Sequence, residues 1–148
     1  MSTSMIITKE ITFNAPKQKI WDLITNPKMT KQYMFGCEVI SNWEIGNKIT
    51  WKGRTEDQKE VVYVKGEITD IIQGTKVSFT MFDPNMGIKD IPSNYVNLTY
   101  ELVESKGKTK LIIIQGDFKG SENSEKRFEE SKKGWDMVIP LMKELVQK

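Results

Sequence analysis

Polar residues set inside apolar, strand-like runs are where this sequence can do chemistry. Glu67, Asn97, Thr99, Gln115 and Asp117 are such residues. A carboxylate held among apolar side chains gains a raised pKa and can serve as a general acid or base, as a cyclase-type or dehydratase-type reaction requires. Asn97 and Thr99 alternate with Val96, Leu98 and Tyr100, so they face solvent if those three face the core. Gln115 and Asp117 share a face with Leu111 and Ile113, which offers one of the two to an inner surface at the mouth of a pocket. Glu67 follows Gly66, a bulge or bend position where the pleat shifts, and its face stays open.

Nucleophilic and metal chemistry have little to work with. The chain contains no histidine, which excludes Ser-His-Asp and Cys-His mechanisms, a His base and His metal ligands. The single cysteine, Cys37, permits no internal disulfide and no cysteine-rich zinc site. On a strand beside Val39 it reads as a small buried hydrophobe. No spacing of carboxylates demands a catalytic pair, so no catalytic residue, metal site or cofactor is assigned.

Large apolar side chains are the stronger signal. Trp21 and Trp43 are assigned to the core. Tyr33, Phe35, Trp51, Phe79, Met81 and Trp135 sit near strand ends or beside Gly134, where aromatic faces and adaptable methionines build pocket walls. With Gln115 and Asp117 they form the candidate ligand-binding set. The segment from Asp83 to Asn94 is long for a hairpin connection, and it carries Met86, Ile88 and Ile91 as anchoring side chains or as a lid.

Charge and length narrow the partners. Twenty-two basic residues against twenty acidic ones leave a net charge of +2, and only Arg54 and Arg127 of the basic set are arginines. Nucleic-acid readers favour arginine forks and clustered charge. Here seven basic and six acidic residues alternate from Lys119 to Lys148, which reads as a solvated helix face. The longest aliphatic run, Leu111-Ile112-Ile113-Ile114, is far below the ~20 residues of a membrane span. The first ten residues show no basic segment followed by an apolar one, so the expected location is the cytoplasm. We expect no nucleic acid or membrane partner, and a monomer by default.

The elements that must position these residues follow from periodicity. Ile6 to Phe13 is β-prone. Asn14-Ala15-Pro16 then marks a helix start, with Asn14 as cap. Ile20, Trp21, Leu23 and Ile24 give a short apolar face, Asn26-Pro27 breaks it, and Lys28 to Tyr33 forms a second short helix. Six strands follow, joined by short turns, with Val96, Leu98, Tyr100 and Leu102 on one face and the last strand running from Lys110 to Phe118. The tail is one long helix whose face carries Phe128, Trp135, Val138, Met142 and Leu145. Gly134 permits close approach to that helix, and Pro140 bends it. Consecutive hairpins with segregated helices give an α+β fold: one antiparallel seven-stranded sheet curling around the C-terminal helix, where a gap between the two would make a pocket. All 148 residues read as one domain.

Short motifs in this order resemble the START-like (SRPBCC) superfamily, and within it the domain of the activator of the heat-shock-protein-90 ATPase (AHSA). They include Phe13-Asn14-Ala15-Pro16 with Ile20-Trp21, Lys31-Gln32-Tyr33-Met34-Phe35-Gly36, Trp43-Glu44-Ile45-Gly46, Ile49-Thr50-Trp51-Lys52-Gly53, Thr99-Tyr100-Glu101-Leu102 and Gly134-Trp135. The resemblance implies the helix-grip fold with a cavity between sheet and helix. Gly46-Asn47 stands where many relatives have Gly-Gly, and there is no room for the separate N-terminal domain of the eukaryotic activator. Relatives include hydrophobic-ligand carriers, sequestering proteins, cyclases and co-chaperones, and fold alone does not choose among them. The first expectation is a non-catalytic domain holding an apolar or aromatic small molecule. The alternative is a co-chaperone-type interaction module on the heat-shock-protein-90 class, with a link to stress response. The third is a cyclase-like enzyme using Glu67 or Asp117.

Overall fold

The computed structural model describes residues 4–147. Strand β1 (Ile7–Phe13) is followed by helices α1 (Lys17–Thr25) and α2 (Pro27–Tyr33). Six strands come next: β2 (Glu38–Ser41), β3 (Lys48–Arg54), β4 (Glu60–Ile72), β5 (Lys76–Met81), β6 (Val96–Ser105) and β7 (Lys108–Gln115). Helix α3 (Ser124–Gln147) ends the chain's described part. All strand pairs are antiparallel in the order β1-β7-β6-β5-β4-β3-β2, so the first strand closes beside the last. This is the α+β helix-grip arrangement expected from the sequence.

The sheet buries one face because its strands alternate. Val96, Leu98, Tyr100 and Leu102 are all buried on β6, and Leu111 and Ile113 continue that face on β7. Register shifts at Trp51/Lys52 and between Ile68 and Asp70 break the ladder on both sides of β4, which lets the sheet bend. The shifts do not fall at Gly66, where the sequence suggested one. A Cβ on Gly66 would lie 1.6 Å from the Thr80 carbonyl oxygen, so this glycine serves close backbone approach. Glu67 beside it is exposed, and its N–H donates to Thr80 Oγ1 at 3.0 Å.

The short helices are fixed by particular bonds. Asn14 does not cap α1. Pro16 occupies that position, and its carbonyl accepts from the Lys19 N–H at 3.1 Å. Asn26 caps α2 by accepting from the Lys28 N–H at 2.9 Å, with Pro27 in the first turn where its missing N–H costs nothing. Thr30 Oγ1 accepts from the Val39 N–H at 3.1 Å and joins α2 to β2.

Three expectations about burial shift. Trp21 is buried as expected, whereas Trp43 is half-buried with a positive φ of 57°. On α3 the buried side chains are Arg127, Trp135, Val138, Met142 and Val146, while Phe128 and Leu145 are only partly covered. Phe128 meets Phe118 edge-on at 5.6 Å, at the margin of the core. The last strand stops at Gln115 instead of running on to Phe118.

Candidate functional site

A cavity of about 570 Å³ opens between the sheet and α3. Its sheet wall is Trp51 from β3, Val64 from β4, Met81 from β5, and Val96, Leu98 and Tyr100 from β6. Helix α3 supplies Arg127, Glu130, Ser131, Gly134, Trp135 and Val138. Met34, Phe35, Asp83 and Met86 reach it from loops. Phe35 is 63% exposed at its rim, in a turn where its own φ is +52°.

Five of the eight sequence candidates line this space: Phe35, Trp51, Met81, Gln115 and Trp135. Gln115 Oε1 accepts from the Trp135 indole N–H at 2.8 Å, and Gln115 Nε2 faces Met81 Sδ at 3.8 Å. The amide therefore joins β7 to α3 and holds two wall residues in place.

The other three candidates lie elsewhere. Tyr33 is fully buried against α1, and its hydroxyl donates to the Leu23 carbonyl at 2.8 Å. Burial holds its phenol well above the usual range. Phe79 sits in the core beyond the cavity wall, tilted on Tyr100 with centroids 6.1 Å apart. Asp117 lies past the end of β7 and accepts from the Met5 and Lys119 backbone N–H groups, each at 2.9 Å. Those two bonds hold its carboxyl below the ordinary value. Neither Asp117 nor Glu67, the two acids named for cyclase-like chemistry, lines the cavity.

Arg127 and Tyr100 are the two wall residues with an ionisable side chain and an unpaired buried polar atom that the sequence candidates left out. Arg127, Ser131, Gly134 and Val138 follow one another at steps of four, three and four, which puts them on one helical face. A lone arginine on that face, in a chain with twenty lysines, was the available signal. Burial pulls the Arg127 guanidinium down from its usual value, with the Asp83 charge opposing. Tyr100 is fully buried, and desolvation pushes its hydroxyl far up.

Gly134 does not admit a neighbouring element. Apart from its two chain neighbours and the adjacent turns of its own helix backbone, no atom lies within 4 Å of where its Cβ would be, so the missing side chain leaves cavity space. Cys37 also lines the cavity, and burial raises its thiol pKa, which keeps it protonated and weakly nucleophilic at neutral pH. In the long segment before β6 only Met86 of the three apolar residues reaches the cavity. The segment is tied down where Asp90 pairs with Lys65 and accepts from the Tyr95 hydroxyl at 2.6 Å. Among the described residues no group of three His, Cys, Asp or Glu side chains is placed to hold a metal ion. No helix among the described residues is long and apolar enough to cross a membrane.

Residues 14–147 match the family model of the activator of Hsp90 ATPase homolog 1-like proteins, and the chain belongs to that family. No curated protein matches it. The solution structure of a Cytophaga hutchinsonii protein is similar at 28% identity, over 99% of this chain and 97% of that one, with a TM-score of 0.76. A heat-shock-protein-90 activator from Plasmodium falciparum shares the fold at 15% identity, over 97% and 96% of the two chains, with a TM-score of 0.74. CalU16 from Micromonospora echinospora does so at 15% identity, over 95% of this chain and 75% of its own, with a TM-score of 0.70.

Proposed function

We propose that this chain is a non-catalytic binding domain that holds an apolar or aromatic small molecule between the sheet and α3. The observation that carries the reading is the cavity itself. At about 570 Å³ it is within the ~300–1,000 Å³ typical of small-molecule sites, and its wall is mainly aromatic, aliphatic and methionine side chains. Affinity then comes mainly from burying apolar surface, at ~25 cal/mol per Å² before the costs of association. The test is an amide NMR spectrum of the protein with pools of fatty acids, sterols, flavonoids and aromatic polyketides. Shifts are expected at Phe35, Met81, Gly134 and the Trp135 indole. A spectrum unmoved by every pool overturns the reading.

A second reading is favoured by the family and by the fold shared with the Plasmodium heat-shock-protein-90 activator. On it, the chain is an interaction module that docks on a chaperone of that class through its surface. Retention of the purified chaperone on immobilised protein tests this, and a result at background removes it.

A further inference from the structure

Among the described residues, three buried side-chain nitrogen or oxygen atoms have no hydrogen-bond partner: Trp51 Nε1, the Tyr100 hydroxyl and Arg127 Nη1. All three belong to residues that line the cavity. Buried polar groups are otherwise almost always paired, and a buried charge more strictly still. Arg127 is 7% exposed, and no carboxylate lies within 4.0 Å of it among the described residues. Asp83 acts on it only from beyond that distance, and one Asp83 oxygen is already engaged by the Asn85 N–H at 2.8 Å. The guanidinium has five donors and no acceptor, so only an acceptor can complete it, and a charged one does so best.

We propose that the cavity takes an organic monoanion: an apolar body bearing one acid group, carboxylate or similar, that pairs with Arg127. The proposal rests on the cavity-binding reading above and adds the chemical class of ligand. Asp83 and Glu130, which also line the cavity near Arg127, disfavour a doubly charged head. Arg127 and Trp135 are eight residues apart, about 12 Å along the helix. Tyr100 meets the Trp135 ring edge-on at 6.2 Å, so its ring borders the end of the cavity away from Arg127. A ligand with its acid on Arg127, its apolar middle against Met81, Leu98 and Gly134, and a hydroxyl or carbonyl near Tyr100 would complete two of the three orphaned groups.

The test compares two fluorescent probes that differ only in a sulfonate: 1-anilinonaphthalene-8-sulfonate and neutral N-phenyl-1-naphthylamine. Wild type is expected to bind one equivalent of the anion at least about tenfold more tightly, the scale of a charge-assisted hydrogen bond. Arg127→Met removes most of that preference while neutral-probe binding persists, and Arg127→Lys keeps part of it. Gly134→Leu, which puts a side chain into the cavity beside Trp135, weakens binding of both probes. Equal affinity for the two probes in wild type, or a preference that survives Arg127→Met, overturns the anion and leaves the apolar cavity standing. Failure of both probes to bind wild type, or binding that Gly134→Leu leaves unchanged, overturns the cavity reading and this one with it. If Arg127→Met does not fold, laurate against methyl laurate on the wild-type protein decides the same point.

Discussion

The Trp135 indole N–H donates to Gln115 Oε1 at 2.8 Å, and this one bond ties the end of β7 to the middle of α3. Both residues are buried, and both border the cavity. The bond matters more for what its loss leaves behind than for its own strength. Gln115→Leu strands a buried indole donor, which costs about 1–3 kcal/mol. Urea unfolding should show a lower midpoint at unchanged m-value. Adding Trp135→Phe removes the stranded donor, so the double variant should lose less than the sum of the two single losses. Strict additivity would show that the two residues are not coupled.

Gly134 makes the opposite case, a position where the sequence gives up stability for room. Glycine inside a helix costs about 1 kcal/mol relative to alanine. Beyond its own helix backbone and chain neighbours nothing lies within 4 Å of the absent Cβ, so Gly134→Ala meets no clash with another element. The variant should gain about 1 kcal/mol, or roughly 2–4 °C in melting temperature for a chain of this size. A lower melting temperature would mean that the helix depends on the glycine for some other reason.

The fold was legible where periodicity decides it. Alternation on β6 fixes Val96, Leu98, Tyr100 and Leu102 to one face, and the same rule turns Gln115 inward with Leu111 and Ile113. Asp117 obeys that alternation on paper, but β7 stops at Gln115, and Gly116 at φ +143° turns the chain away. On α3 the difficulty is angular. Arg127 and Phe128 lie 100° apart, and the apolar residue looked like the inward one, yet the arginine is the more buried. Tyr33 and Phe79 show a different limit. Hydrophobicity announces that a side chain is buried, but not whether it borders packed core or open cavity, because that depends on which elements face it.

Gly66 marks a place where two backbones nearly touch. Its hypothetical Cβ would sit 1.6 Å from the Thr80 carbonyl oxygen and 2.5 Å from the carbonyl carbon. No rotamer relieves a clash with backbone, so β4 and β5 would have to part. Gly66→Ala should destabilise by at least about 3 kcal/mol, at the upper end of single-substitution effects. A variant that melts within a degree or two of wild type would mean that the strands separate here at little cost.

Asp117 gives the fold an acid-sensitive clasp between its first described residues and the segment that leads into α3. One carboxylate oxygen accepts from both the Met5 and the Lys119 N–H groups, and these bonds favour the charged form. The folded-state pKa therefore lies below the unfolded value of about 4. The contribution is complete above about pH 4 and is lost as pH falls through the folded value. Asp117→Ala should be less stable than wild type at pH 7, and the gap should narrow as pH falls below about 4, the unfolded value. Asp117→Asn keeps an acceptor oxygen but not the charge, so it should fall between the two at neutral pH and show a flatter acid limb than wild type. Urea midpoints for the three proteins across that range measure the effect. A gap between wild type and Asp117→Ala that stays constant down to pH 2 would mean that the clasp works by shape alone, with no part played by its charge.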